Sequence, residues 1–247
     1  MRDIRIFIPN LPTPNEGEII ALPEQAAAHV TRVLRLRVGD ALTVFDGRGG
    51  EYAAKLASIA KREVTVQLGV HSMIERESPL AITLIQGLAR GEKMDYIIQK
   101  ATELGVARII PVSTMRSVVQ LDDDRSDRKW QHWRAVAAAA CEQCGRNRLP
   151  EILEPCRLEQ LWGSDALPRL RLLLSPHATV GIAGSLIPRP TELAILIGPE
   201  GGLDIEEEKR AHAAGFRSVT LGPRVLRTET AGLAVLAAVQ SLAGDLQ

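Results

Sequence analysis

Two short segments near the C-terminal end of the sequence combine glycine and proline with charged residues. The first is IGPEGG at residues 197–202, and the second is LGPRVLRTETA at residues 221–231. Each follows an apolar run that favours a buried strand. Glycine lets the backbone approach a ligand closely, while proline holds a turn open and removes a donor. Such loops can offer backbone amides and carbonyls to a flat heterocycle.

Neither segment resembles a phosphate-binding loop. IGPEGG lacks the lysine and the Ser/Thr of a P-loop, and Glu200 within it would repel a phosphate. The first strand of the α/β part is not followed by G-x-G-x-x-G, which argues against an ordinary dinucleotide site. Taken alone, IGPEGG is also compatible with a tight strand-to-helix turn. Two Gly-Pro loops after consecutive strands favour a ligand site.

The elements that must position these loops alternate between strand and helix patterns. Because ligands of open α/β sheets bind at the carboxyl ends of strands, this alternation predicts a mostly parallel sheet with helices on both faces and a site at one edge. Asp204 and Glu207 form a capping pair at the start of one helix. Strands are predicted at 79–88, 106–112, 170–175, 192–198 and 216–222, and helices from Met94 to Gly105, from near Ser126 to 145, at 204–215 and at 228–244.

The N-terminal part has a different pattern. After a short helix that starts at Pro23, strand-like runs are broken by Asp46-Gly47 and Gly49-Gly50 turns. A polar stretch at 71–79 ends in proline and is typical of a linker. The sequence therefore predicts a small β-rich domain at 1–72 and an α/β domain at 73–247.

Composition limits the classes of function. The 247 residues are 45% apolar and 3% aromatic, which favours an α/β protein with an aliphatic core. Basic and acidic residues number 30 each, so an RNA-binding surface must be a local patch. The segment HVTRVLRLR places Arg32, Arg35 and Arg37 together without an acidic residue. This cluster indicates a phosphate-contacting patch or, equally, a solvated helix end.

Other features point to an ordinary cytosolic protein. Three cysteines do not make a disulfide framework, and the sequence has neither an N-terminal signal pattern nor an apolar stretch long enough for a membrane span. Cys141 and Cys144 have no second pair at zinc spacing, so buried thiols are favoured over a metal site. Trp130 and Trp133 are predicted to pack a helix rather than stack on bases.

Five segments in this order carry a resemblance to a known family. They are HVTRVLRLRVGD, IIQKATELGVARIIPV followed by RSVV, EQCGR, IGPEGG and LGPRVLRTETA. Together they resemble the RsmE family of 16S rRNA uridine-N3 methyltransferases, over residues 29 to 240. The last two segments are the most specific when they occur together.

The resemblance implies a fold and partners that composition does not show. It implies a PUA-like N-terminal β-barrel and a C-terminal SPOUT α/β domain with a deep trefoil knot. It also implies S-adenosylmethionine as the methyl donor, 16S rRNA of the small ribosomal subunit as the substrate and a homodimer in the cytoplasm, without a metal. Residues expected to contact RNA are Arg32, Arg35, Arg37, Arg116 and Arg146, and the resemblance leaves open that Arg146 contacts the dimer partner instead.

The chemistry of such an enzyme assigns roles within the second loop. Uridine N3 carries a proton and becomes a nucleophile only after that proton leaves, so a base and a positive charge beside the uridinate are needed. Arg224 and Arg227 are the candidates for charge stabilisation, and Glu229 is the candidate base or an orienting group. The donor is expected to contact Leu174, Ile197, Gly198, Pro199, Glu200, Gly202, Leu221, Gly222, Pro223 and Leu226.

Two other functions remain open from the sequence. One is a SPOUT methyltransferase that acts on another RNA nucleoside, since a PUA-like domain suits either substrate. The other is a non-catalytic RNA-binding factor of ribosome assembly. The intact arginines and glycines of both loops argue against the second.

Overall fold

A computed structural model describes residues 4–11, 15–61, 63–117, 123–163 and 166–246, with side chains from residue 126 onward in the long helix that begins at Asp123. The chain forms two compact units. The N-terminal unit combines Met1–Glu77 with Ala138–Leu149, and the C-terminal unit combines Ser78–Ala137 with Pro150–Gln247. Residues 73–77 and 138–149 thus group with the N-terminal unit, whereas the sequence placed them in the second domain.

The N-terminal unit contains a five-stranded sheet in the order β1-β3-β4-β5-β2. Strand β1 runs parallel to β3, and the other pairings are antiparallel. The short helix α1 (Glu24–Ala28) starts directly after Pro23, as expected, and continues into one π-helical turn. The strands are β1 (Arg5–Phe7), β2 (Ile19–Ala21), β3 (Ala41–Phe45), β4 (Glu51–Ile59) and β5 (Val64–Ser72).

Alternation of side chains builds the core of this unit. Along β5, Val64, Val66 and Leu68 are buried while the residues between them are more exposed. A strand of period two can bury one face in this way, and the face belongs to one core cluster with Leu42 of β3 and Leu56 of β4. The β-rich N-terminal domain expected from the sequence is confirmed.

A buried carboxylate anchors the returning segment 138–149 within the N-terminal unit. Glu51 accepts hydrogen bonds from Arg5 Nη1 at 2.7 Å, Asn147 Nδ2 at 3.0 Å and Arg76 Nη1 at 3.2 Å. Burial alone would raise the pKa of Glu51, but these three hydrogen bonds outweigh burial and hold the pKa below its ordinary value. Arg5 also bonds the side-chain oxygen of Asn147. Segment 138–149 is therefore an integral part of this unit.

The C-terminal unit contains a seven-stranded sheet in the order β12-β10-β11-β6-β7-β8, with β9 also pairing β7. All pairings recorded for its described strands are parallel. This confirms the mostly parallel sheet expected from the strand-helix alternation. The strands are β6 (Ala81–Gly87), β7 (Arg108–Ser113), β8 (Glu151–Ile152), β9 (Cys156–Arg157), β10 (Arg171–Leu174), β11 (Glu192–Ile197) and β12 (Phe216–Val219).

Helices cover both faces of this sheet. On one face, Leu84 and Ile195 pack with apolar residues of α2, α3 and α5, and on the other, Ile85 and Leu196 pack with Ala211 of α4. The capping pair Asp204 and Glu207 is present at the start of α4. The helices are α2 (Lys93–Glu103), α3 (Asp123–Cys144), α4 (Ile205–Ala213) and α5 (Thr228–Ala243).

Two features of the helices bear on the earlier expectations. Helix α3 begins at Asp123, three residues before Ser126. The sequence did not indicate this earlier start, because the first turn of the helix lies in a polar segment without apolar periodicity. Within the described residues, no helix is both long and apolar enough to cross a membrane. The trefoil knot stays a prediction from the family resemblance.

Candidate active site

A cavity of about 410 Å³ lies at the carboxyl ends of β10, β11 and β12. It is enclosed by the residues after each strand, including IGPEGG after β11 and the loop that leads into α5. Eight of the ten expected donor contacts line it, and Gly222 and Pro223 of the second loop do not. The eight are Leu174, Ile197, Gly198, Pro199, Glu200, Gly202, Leu221 and Leu226.

Close backbone packing explains the glycines of the first loop. A Cβ on Gly198 would lie 3.1 Å from the carbonyl carbon of Gly202, tighter than normal contact. Gly202 has φ +69°, a left-handed conformation that disfavours other residues. A Cβ on Gly87, at the end of β6, would lie 2.5 Å from the nitrogen of Pro199. The loop is therefore shaped by a glycine of a neighbouring strand as well as by its own.

A buried chain of hydrogen bonds joins the first loop to α5. Thr228 donates its hydroxyl proton to the carbonyl of Gly198 at 2.7 Å, and it accepts from Gln86 Nε2 at 2.9 Å. Gln86 is fully buried and also donates to the carbonyl of Gly87 at 3.0 Å. These contacts fix the end of β6, the IGPEGG loop and the start of α5 relative to one another.

The charged residue of the first loop, Glu200, forms an ion pair with Lys93 of α2. Glu200 accepts hydrogen bonds from the amide of Arg90 and from Lys93 Nζ, both at 3.1 Å. Burial acts to raise the pKa of Glu200, but hydrogen bonds from the amides of Arg90 and Glu200 itself and from Lys93 hold it below its ordinary value. Glu200 is thus ionised, and it lines the cavity.

The three residues predicted to act in catalysis lie close to the cavity. Arg224 and Arg227 line it, and both are exposed. Glu229 does not line it, but its carboxylate lies 3.3 Å from Lys93 Nζ, and Lys93 is a lining residue. The structure thus places two cations in the cavity lining and a carboxylate in contact with the lining residue Lys93, and their catalytic roles stay predictions.

Arg116 lies over the outer side of the IGPEGG loop. Its Nη1 donates to the carbonyl of Gly201 at 3.1 Å, and its Nη2 lies 3.6 Å from the carboxylate of Asp204. About half of its side chain remains exposed. Arg116 is thus next to the cavity and accessible, as contact with RNA would require. The residues that follow it in the RSVV segment, Val118 and Val119, lie outside the described residues.

The basic cluster of the N-terminal unit is exposed. Arg32, Arg35 and Arg37 all face solvent, while Leu34 and Leu36 between them pack against the core. The leucines thus hold the segment on the core while the three arginines stay accessible, although the segment is not a regular strand. An accessible cationic patch is what phosphate contact needs.

Arg146 has a different environment from the one expected. Its side chain is 5% exposed, and the guanidinium forms an ion pair with Glu77, with Nε donating to Oε1 at 3.0 Å. Burial lowers the pKa of Arg146, but Glu77 more than offsets this and holds it above its ordinary value. This placement corrects the expected RNA contact, because a buried and paired guanidinium is not available to phosphate. The sequence alone did not distinguish a structural arginine from a binding one.

The remaining candidates have structural roles. Burial raises the pKa of the Cys141 thiol to about 12, so Cys141 is not a reactive thiolate at neutral pH. Trp130 and Trp133 donate from Nε1 to the Ile152 carbonyl and to Asp95, as packing residues of α3 would. Within the described part of the chain, no group of three His, Cys, Asp or Glu side chains could hold a metal ion.

Sequence reasoning missed four residues that shape the site. Lys93, Gln86, Gly87 and Thr228 lie on or beside the cavity wall. Gln86 carried a signal, since an amide inside an apolar strand must find hydrogen-bond partners. Lys93 carried another, since a cation at a helix N-terminus opposes the helix dipole.

Comparisons with known proteins agree with this geometry. The family profile described as an RNA methyltransferase domain matches residues 76–240, and the RNA methyltransferase PUA domain matches residues 22–69. The ribosomal RNA small subunit methyltransferase E of Bacillus subtilis is 31% identical, covering 91% of this chain and 90% of that protein. The same-named protein of Synechocystis is 34% identical, covering 87% of this chain and 70% of that protein.

Solved structures are similar over the whole chain. A methyltransferase from Legionella pneumophila in complex with S-adenosylmethionine has a TM-score of 0.95 and 38% identity, covering 100% of both chains. The ribosomal RNA small subunit methyltransferase E from Neisseria gonorrhoeae, bound to S-adenosylmethionine, has a TM-score of 0.92 and 36% identity, again covering 100% of both chains. The cavity, the two domains and these similarities together show that the chain belongs to the ribosomal RNA small subunit methyltransferase E family.

Proposed function

We propose that this protein transfers a methyl group from S-adenosylmethionine to N3 of a uridine in 16S rRNA of the small ribosomal subunit. The observation that carries the proposal is the cavity at the ends of β10, β11 and β12, which both Gly-Pro loops enclose. Membership of the family supplies the reaction and the class of RNA.

The residues of the cavity fit a nucleoside donor. Its volume of about 410 Å³ lies in the range of small-molecule sites. The close approach of Gly198 to Gly202 leaves no room for a side chain there, so backbone forms this part of the lining and leaves space for a flat ring. Leu174, Leu221 and Leu226 supply apolar walls. When bound, S-adenosylmethionine supplies an electrophilic methyl group on a sulfonium, so no metal is required.

The protein must prepare the acceptor. The N3 proton of uridine has to leave before that atom can attack, and Glu229 is the proposed acceptor of this proton. Arg224 and Arg227 line the same cavity and place positive charge where the uridinate develops. Both arginines lie in the loop that encloses the donor, so the two reactants meet at the same wall.

The RNA is proposed to contact cationic groups in both units. Arg32, Arg35 and Arg37 are exposed in the N-terminal unit, and Arg116 is exposed beside the cavity. Guanidinium groups suit phosphate because they donate two parallel hydrogen bonds. We further propose that the protein acts as a homodimer in the cytoplasm, where ribosomal subunits are its substrate.

One experiment tests the reaction directly. The purified protein is incubated with labelled S-adenosylmethionine and small subunits from cells that lack the modification, and the labelled nucleoside is mapped by mass spectrometry. We expect one 3-methyluridine in 16S rRNA, and no incorporation into subunits that already carry the modification. Label in a different nucleoside would replace the uridine-N3 assignment with another methyltransferase activity. Donor binding by calorimetry separates both from a non-catalytic factor, which would bind no donor.

A further inference from the structure

Lys93 occupies an unfavourable position for a lysine. It is the first residue of α2, where the helix dipole presents partial positive charge and disfavours a cation. A lysine at this position therefore does not stabilise the helix locally. Its ammonium group must instead be stabilised by residues from other elements.

Two carboxylates from separate elements converge on this ammonium. Lys93 Nζ lies 3.1 Å from Glu200, in the loop after β11, and 3.3 Å from Glu229, in the first turn of α5. The hydrogen bond to Glu200 raises the pKa of Lys93, so the ammonium stays charged at neutral pH. One cation thus joins the two loops that enclose the cavity.

Of the two carboxylates, that of Glu229 depends more on Lys93 for its position. The side chain of Glu229 is 16% exposed, and among the described residues its buried Oε2 has no hydrogen-bond partner and forms one ion pair, with Lys93. Glu200, by contrast, also accepts a hydrogen bond from the amide of Arg90. Lys93 therefore determines the orientation of the Glu229 carboxylate more than that of Glu200.

We propose that Lys93 is a positioning residue for methyl transfer, which holds the Glu229 carboxylate in place through its ammonium group. The proposal rests on the proposed function, because the carboxylate that Lys93 orients is the one proposed to receive the uridine proton. Without the ammonium, the Glu229 carboxylate would lose its ion pair and be repelled by Glu200, so it would turn away from its present position. Misplacement of a reacting group by about 1 Å can lower a rate by about 100-fold.

The first test compares Lys93→Met with Lys100→Met. Lys100 lies on the same helix, has similar exposure and pairs with Glu103 at 2.7 Å, away from the cavity lining, so it is a matched control. We expect Lys93→Met to lower the single-turnover rate at saturating donor by about 10- to 100-fold, with the donor Kd nearly unchanged. Lys93→Arg keeps the charge and should recover most of the rate. Lys100→Met should resemble the wild type.

A double-mutant cycle tests whether Lys93 acts through Glu229. If it does, Lys93→Met combined with Glu229→Gln should be no slower than Glu229→Gln alone. Additive losses would overturn the proposal. It would also be overturned if Lys93→Met matched Lys100→Met, or if the entire effect appeared in the donor Kd.

A structural measurement keeps this inference separate from the proposed function. In a crystal structure of Lys93→Met, we expect the Glu229 carboxylate to leave its present position while the overall fold is kept. An unchanged Glu229 would overturn the positioning role, whatever the activity. A wild-type protein that methylates no RNA would instead contradict the proposed function, and the crystal structure would still decide whether Lys93 positions Glu229.

Discussion

The hydroxyl of Thr228 donates a hydrogen bond of 2.7 Å to the carbonyl oxygen of Gly198, across 30 residues of sequence. Thr228 is the first residue of α5, and Gly198 is the first residue after β11. The Thr228 oxygen accepts a hydrogen bond from Gln86, so the hydroxyl proton is directed away from Gln86 and toward the Gly198 carbonyl. The two loops of the cavity are thereby fixed to each other through one buried oxygen.

Replacement of Thr228 by valine tests this connection. Valine keeps the shape but leaves the Gly198 carbonyl without its donor, which should cost about 1–3 kcal/mol of stability. Donor affinity, measured by calorimetry, should fall as well, because the Gly198 backbone lines the cavity. Thr230→Val, on the exposed side of the same helical turn, is the control and should change neither quantity. Equal behaviour of the two variants would contradict the role of the buried hydroxyl.

Gly87→Ala should disturb the cavity although Gly87 itself does not line it. The added Cβ would lie 2.5 Å from the nitrogen of Pro199, so the IGPEGG loop must shift. Overpacking of this kind costs about 1–3 kcal/mol, and we expect a large loss of donor affinity by calorimetry. Gly184→Ala is the control, since a Cβ there meets nothing within 4 Å and the backbone is not strained. Normal donor binding by Gly87→Ala would show that the loop tolerates displacement.

Arg227→Ala and Glu229→Ala should affect turnover much more than donor affinity. Loss of charge stabilisation by Arg227 is expected to lower the rate by about 100- to 1000-fold, and loss of the base by at least about 100-fold. The measurement is single-turnover methyl transfer beside calorimetric donor binding. Arg217→Ala, an exposed arginine of β12, is the control. Small and equal effects on rate and affinity would remove both residues from the chemistry.

Acid should destabilise the N-terminal unit through Glu51. Since the folded-state pKa of Glu51 lies below its ordinary value of 4.5, its contribution is present above that pH and is lost as the pH falls through the folded-state pKa. Glu51→Gln should cost about 3 kcal/mol near neutral pH, because it leaves Arg5 buried without its ion pair. The variant should then lose less stability than the wild type between about pH 5 and pH 3. Thermal unfolding across this range measures both, with the exposed Glu63→Gln as the control.

The exposed arginine cluster should contribute to RNA affinity through phosphate contacts. Replacement of Arg32, Arg35 and Arg37 by alanine should weaken RNA binding and lower the slope of log affinity against log salt concentration by about 2 to 3. Donor affinity should not change. Arg210→Ala, which removes an exposed arginine paired with Glu159, is the control. An unaltered salt dependence in the triple variant would exclude the cluster from the RNA-binding surface.

Much of the fold could be predicted because its signals are local. Apolar runs marked β6, β10 and β11, periodic spacing marked α2, and the Asp204–Glu207 pair marked the start of α4. The position of the cavity also followed from sequence, because parallel strands end at a common edge and two of those ends carried Gly-Pro loops.

The parts that could not be predicted depend on contacts between distant residues. Arg146 looks like a binding residue in sequence, and only its pairing with Glu77 reveals that it is buried. The place of Gly87 beside Pro199, and of Lys93 between two carboxylates, results from tertiary packing across more than 100 residues. Periodicity and composition hold no information on such pairs.

The assembly of the N-terminal unit from two separated stretches bears on how the chain matures during translation. Asn147 donates a hydrogen bond to Glu51, yet it is synthesised well after Glu77, which ends the first stretch. At a translation rate of about 5–20 residues per second, Asn147 is synthesised on the order of ten seconds after the first five strands. The N-terminal unit therefore cannot reach its complete structure before synthesis of the C-terminal unit begins. The first-made domain is completed only after part of the second has already emerged.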